Sequence, residues 1–222
     1  MDGREAKDRL YEAFARTAKA AASPKRIELL ELLAQGERTV ESLAQATGMG
    51  VTNTSAHLQV LARSRLVATR KDGTRVFYRL SGDDVAAFVV ALRDLARSRL
   101  AEVEQVVRDY FSARDALEPV RREDLVARAE RGNVVILDVR PAQEFAAGHI
   151  PGALSVPLGE LDAALAQLPG RTEIVAYCRG PYCVLAPQAV ERLRAKGYRA
   201  RRLDGGLPEW RLAGLPVAAG QE

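Results

Sequence analysis

The chain has 222 residues, enough for one or two domains, and 47% of them are apolar, enough for a sizeable core. The formal net charge is only +4, from 33 Lys and Arg against 29 Asp and Glu, too small an excess to establish nucleic-acid binding by itself. No apolar run approaches membrane-spanning length, and the polar start MDGREAKDRL lacks a secretory core, so the expectation is a cytoplasmic protein with no membrane partner. In that compartment two cysteines are more often reactive or ligating groups than a structural disulfide.

The first half reads as helices followed by one hairpin. Glu5 to Ala22 carries Leu10, Phe14 and Ala18 at helical spacing. Ser23-Pro24 opens a second helix to about Ala34, with Ile27, Leu30 and Leu33 inward. Thr39 caps a short helix through Ala46; Thr47-Gly48-Met49-Gly50 is a turn, and a further helix covers about Val51 to Ser64. Leu66 to Arg70 and Arg75 to Leu80 are strand-like and flank Lys71-Asp72-Gly73-Thr74, a strong hairpin signal. Asp83 is expected to cap one long helix to about Ser112.

Charge is concentrated around the hairpin. From Arg63 to Arg79 there are six basic side chains against Asp72 alone, a local excess suited to phosphate contacts. Two short helices separated by a glycine turn, with a basic hairpin after them, make a winged helix-turn-helix. On the second helix Thr54, Leu58 and Leu61 point inward. Thr52, Asn53, Ser55, Ala56 and Gln59 then face a major groove, while Arg70, Lys71 and Arg75 lie near the DNA backbone or minor groove.

Around Ala113 the pattern changes, and charges with Pro119 suggest a linker. The expected organisation is a DNA-binding domain over 1–112, a linker over 113–120 and an α/β domain with a largely parallel sheet over 121–222. In the latter, apolar runs at Val134 to Leu137, Ile174 to Tyr177 and Ala200 to Leu203 alternate with Leu161 to Leu168 and Val184 to Ala195. Arg140 and Glu144, four apart, could pair across a helix start.

Both cysteines lie in one hexapeptide, Cys178-Arg179-Gly180-Pro181-Tyr182-Cys183, between a strand-like run and a helix-like run. A cysteine on such a turn faces loop amides and the positive end of a helix dipole, both of which favour thiolate. Cys178 is therefore expected to be the ionised nucleophile, with N–H groups from Arg179 to Cys183 cradling anionic sulfur and Arg179 adding positive charge near an anionic donor. Pro181 removes one donor from that cradle, and Cys183 is a possible resolving thiol. Phosphate-ester hydrolysis by a Cys-x5-Arg loop is disfavoured, because Val184 stands where the arginine is needed.

SPKRIELLELL, TVESLAQATGMGVTNTSAHLQVLARSRLV and RKDGTRVFYRL resemble the ArsR/SmtB family of bacterial repressors over residues 8–112, with Ser55, His57, Leu58 and Leu61 forming its SxHLxxL core. That resemblance implies a homodimer built on the first and last helices of the unit, and repression relieved by an inducer. The stretch ESLAQATG lacks the cysteine pair of many metal-sensing members, and Asp83 to Ser112 has neither histidine nor cysteine, so no metal site is expected in this half. ILDVRPAQEFAAGHIPGALSVPL and LDGGLPEWRLAGLPV resemble the opening and closing signatures of rhodanese domains, with CRGPYC where that family places its sulfur-accepting cysteine. The two resemblances imply a DNA-binding regulator, a repressor, that senses reactive sulfur through Cys178 and has possible sulfurtransferase activity. Its implied partners are double-stranded operator DNA, a second copy of the chain and a small donor (persulfide, polysulfide or thiosulfate), with no cofactor. Two alternatives stand beside it: a sulfurtransferase whose DNA-binding half localises or dimerises it, and an arsenite or soft-metal sensor using Cys178 and Cys183.

Overall fold

The computed structural model describes residues 1–112, 119–165, 168 and 172–220. It divides into two compact units, Met1–Val90 and Ala91–Glu222.

In the first unit, helix α1 spans Gly3–Ala21 and α2 spans Pro24–Leu33, the latter opening with proline in its first turn, where the missing N–H has no helical partner to lose. The two-residue strand β1, Arg38–Thr39, leads into α3, Val40–Thr47, whose N-cap Thr39 hydroxyl accepts from the Ser42 amide at 3.3 Å. Gly48 closes α3 in the left-handed region at φ +66°, and α4 follows over Val51–Arg63. Strands β2, Val67–Asp72, and β3, Arg75–Leu80, pair antiparallel with Asp72 opposite Arg75, and β1 joins the other edge of β3. The hairpin is tighter by two residues on the β2 side than a turn over all of Lys71 to Thr74: Lys71 and Asp72 stay in the strand, β3 starts at Arg75 as expected, and Gly73 supplies the positive φ of +58° that a two-residue turn requires. Leu29, Leu30, Leu43, Leu58 and Leu61 are fully enclosed in one core, each contributing about 1.5–3 kcal/mol of apolar burial.

The long helix expected from Asp83 is interrupted. Helix α5 covers Asp83–Arg99, Leu100 adopts extended backbone (φ −111°, ψ 106°), α6 resumes over Ala101–Val106 and a wider π turn covers Val107–Ser112. Residues from Ala91 onward group with the second unit, whereas the sequence expectation kept all of 1–112 together. Most of the expected linker, 113–118, lies outside the described residues.

The second unit continues with α7 (Arg122–Glu130), β4 (Val134–Asp138), α8 (Ala142–Ala147), β5 (Leu154–Ser155), α9 (Leu161–Ala164), β6 (Glu173–Cys178), α10 (Leu185–Ala195), β7 (Ala200–Gly206) and α11 (Leu207–Leu212). Its sheet has the order β5-β4-β6-β7, all parallel. Side chains of β6 alternate between two buried clusters. Ile174, Ala176 and Cys178 face α10, while Val175 and Tyr177 join Leu207 and Trp210. A strand enclosed on both faces must be apolar at every position, as IVAY is.

Candidate functional site: a thiol loop and a DNA-reading face

Strand β6 ends at Cys178, at the carboxyl edge of the parallel sheet, where open α/β sheets place their ligands. The loop then turns into α10, whose first turn tolerates Pro187 because no helical hydrogen bond is lost there. Behind the loop stands Gly206, paired with Cys178 across β7. A methyl group on Gly206 would come within 2.4–2.5 Å of Gly180 N, Arg179 C and Cys178 O, so only glycine lets the two backbones touch.

Cys178 is 1% exposed, and Cys183 is half-buried. Cys178 Sγ lies 3.6 Å from the Cys183 carbonyl oxygen and 3.8 Å from that of Gly180, and its thiol donates to the Cys183 sulfur. Burial pushes the Cys178 thiol well above its ordinary value, and the sulfur of Cys183 pushes it in the same direction. Cys183 moves the other way, from 9.0 to about 7, first because Cys178 donates to it, then because the Leu185 and Arg179 amides and the Arg179 guanidinium favour its charge. Amides of Gly180 and Ala186 face Cys178. The cradle thus draws on the start of α10 as well as on the loop. The expected resting thiolate on Cys178 is opposed by enclosure between α10 and the sheet, which favours the protonated form there, while Cys183 is drawn toward its charged form.

Arg179 is also differently employed from the expectation that it would meet an anionic donor. Its Nε lies 3.1 Å from both carboxylate oxygens of Glu144 and its Nη2 2.7 Å from Oε1, with the Glu144 side chain 1% exposed. Arg140, the partner first envisaged for Glu144, wraps onto Asp138 and donates to the Gly148 carbonyl at 2.7 Å. Tyr177 hydroxyl donates to Asp138 and accepts from the Ile150 amide, which closes a network with no exposed member. His149 is fully enclosed and stacked on Phe145 at 3.7 Å, a packing role. Tyr182 faces away from this network, its ring 5.8 Å from the Arg93 guanidinium and 6.0 Å from the Phe111 ring.

On α4 the inward set is Thr54, Leu58 and Leu61, all buried. Thr52, Asn53, Ala56 and Gln59 are exposed, and Ser55 is half-buried. On the wing, Lys71 and Arg75 are exposed, but Arg70 is already engaged: it grips Glu37 at 2.7 Å and Asp72 at 3.2 Å and lies over Phe77. These carboxylates hold Arg70 charged yet neutralise it toward a phosphate. Among the described residues, no group of three or more His, Cys, Asp or Glu is placed to hold a metal ion, and no helix is long and apolar enough to cross a membrane.

A winged helix-turn-helix followed by a parallel-sheet unit with a cysteine loop defines the class of a two-part transcriptional regulator. Residues 23–69 match the family "Bacterial regulatory protein, arsR family", and residues 121–213 match "Rhodanese-like domain". The HTH-type transcriptional regulator Rv0324 of Mycobacterium tuberculosis (strain ATCC 25618 / H37Rv) is 47% identical over 95% of this chain and 92% of its own length. The chain therefore belongs to the ArsR family of transcriptional regulators, in a form that carries a C-terminal rhodanese domain. A sulfurtransferase of Allochromatium vinosum is 34% identical over 41% of this chain and 84% of its own length. The homodimeric winged helix-turn-helix DNA-binding domain Mb0332 of Mycobacterium bovis, solved by NMR, is 44% identical and covers 45% of this chain and 91% of its own, with a TM-score of 0.41.

Proposed function

We propose that the protein is a cytoplasmic, homodimeric repressor whose hold on operator DNA is set by sulfane sulfur captured at Cys178 and Cys183. The observation that carries this is the pairing of a buried Cys178 with a half-buried Cys183 at the mouth of α10, in a chain whose other half reads DNA. Cys178 attacks the outer sulfur of a low-molecular-weight persulfide as its proton passes to Cys183; the donor S–S bond breaks and its thiolate leaves. Cys178 now carries a persulfide. Once Cys183 has lost its proton again, its sulfur attacks the inner sulfur of Cys178 and expels hydrosulfide, leaving a disulfide. The donor sulfur is reduced to sulfide as the two thiols are oxidised, so no further oxidant is needed. Loop and helix amides stabilise the anionic sulfur at each stage.

The exposed α1 residues Leu10, Tyr11 and Phe14 (56%, 60% and 62% exposed) form an apolar stripe suited to a second copy of the chain. Thr52, Asn53, Ser55, Ala56 and Gln59 meet bases, and Lys71 and Arg75 meet phosphates.

The test pairs mass spectrometry of both cysteines with DNA affinity at fixed salt, before and after glutathione persulfide, using a duplex selected by the purified protein from a random library. Persulfide-induced release of DNA that persists in Cys178→Ser would refute the reading. The likeness to the Allochromatium sulfurtransferase favours a second reading, turnover of a sulfur donor as the main activity. Catalytic transfer to a thiol acceptor that vanishes in Cys178→Ser, with DNA affinity indifferent to sulfur, would establish it.

A further inference from the structure

Helix α5 does more than close the winged-helix core. Its Val85 and Val89 are buried in that core. One turn beyond Val89, in the part of α5 grouped with the second unit, Arg93 reaches the cysteine loop. Its Nη2 lies 2.7 Å from Glu209 Oε1, with the two side chains only 14% and 10% exposed. Its guanidinium sits 5.8 Å from the Tyr182 ring centre. Its Nη1 lies 3.4 Å from the position a Gly180 Cβ would occupy. The other oxygen of Glu209 accepts from the Gly206 amide at 2.7 Å, and Gly206 is the residue against which the loop is pressed.

We infer that Arg93 is the positioning residue that latches the cysteine loop to α5, and that a sulfur adduct on Cys178 is reported to the DNA-binding half by unseating this latch. The inference rests on the sulfur-sensing reading above. Its physical basis is space. Cys178 is enclosed, and interiors packed to this density have no room for an added sulfur atom without displacement. Gly180 cannot retreat toward Gly206, whose backbone it already touches. The remaining direction is toward Arg93 and Tyr182. A shift there crowds Gly180 against the Arg93 guanidinium and strains the pairing of Arg93 with Glu209, whose own position is tied to Gly206. Because Arg93 and Val89 are four residues apart on one helix, they stand on the same face, and a change at one end of that turn bears on the other. Phe111, 5% exposed and against Tyr182, gives the loop a second contact with the segment that follows α5.

The experiment compares full-length wild type, Arg93→Met and Arg93→Lys, reading Cys178 persulfidation by mass spectrometry and affinity for the selected duplex with and without glutathione persulfide. A functional switch changes wild-type affinity by at least about fivefold. Arg93→Met is expected to accept sulfur on Cys178 and to bind DNA without donor within about twofold of wild type, while its donor response falls below about twofold. Arg93→Lys, which keeps a charge for Glu209, is expected to respond to an intermediate degree. If wild type itself shows no response, the sulfur-sensing reading fails. If wild type responds and Arg93→Met responds equally, the latch alone is refuted. Loss of donor-free DNA binding in both variants would assign Arg93 to the fold and overturn the latch as well.

Discussion

Replacing Cys183 with serine tests which thiol carries the resting charge. A thiol at 9.0 is about 1% ionised at pH 7, whereas one lowered to about 7 is half ionised, a gain of about fiftyfold in thiolate. Intrinsic nucleophilicity falls with basicity, with a Brønsted slope of about 0.4–0.5, so two units return about six- to tenfold of that gain. Cys183 should thus react at pH 7 some ~5–8 times faster than an ordinary thiol. Cys178, enclosed and shifted upward, should react more slowly than an ordinary thiol. The assay is the rate of iodoacetamide labelling between pH 5.5 and 9.5, followed by intact mass and peptide mapping. Wild type should label first at Cys183, with reactivity rising as pH increases through about 7, because the lowered group gains its charge there. In Cys183→Ser the rate at pH 7 should fall at least about fivefold and the midpoint should move above 9. First labelling at Cys178 with a midpoint near 7, unchanged by Cys183→Ser, would refute the assignment.

Three further outcomes follow from the geometry. Asp138→Ala leaves the enclosed Arg140 without its carboxylate and should cost about 3–5 kcal/mol in denaturant unfolding of the second unit; a loss under about 1 kcal/mol would show the network to be dispensable. Arg75→Ala or Lys71→Ala should each lower the salt dependence of DNA binding by about one phosphate contact, while Arg70→Ala, already paired with Glu37 and Asp72, should lower it less; equal effects would place Arg70 on DNA. Leu10→Asp with Phe14→Asp on exposed α1 should convert a dimer to a monomer in light scattering with the winged-helix fold retained by circular dichroism, and an unchanged mass would move the self-association surface elsewhere.

Local chemistry made much of this fold legible. Thr39 as a cap and Ser23-Pro24 as a helix start each act within four residues and occur where their pattern places them, and the Asp72-Gly73 signal marks the hairpin, with the turn itself one residue later at Gly73-Thr74. The inward set on α4 followed from a 3.6-residue period, and the parallel sheet containing β6 from apolar runs alternating with helix-like ones. What escaped reading depends on distant partners. Glu144 lies 35 residues from Arg179, and Glu37 lies 33 from Arg70, so neither pair leaves a spacing signal. The break at Leu100 has no proline or glycine to announce it. The upward pull on Cys178 has the same origin: dipole and loop are local, but the enclosure that opposes ionisation there comes from α10 and the sheet.

The closure of Arg179 onto Glu144 sets how the two halves respond to their surroundings. With that cation compensated, Cys183 is held toward its charged form first by Cys178 and then by fixed peptide dipoles, close-range partners that mobile ions screen little. Duplex recognition through exposed lysine and arginine, by contrast, weakens steeply as counterions accumulate. Potassium chloride should therefore act as a selective dial, dimming nucleic-acid occupancy while leaving thiol reactivity almost level.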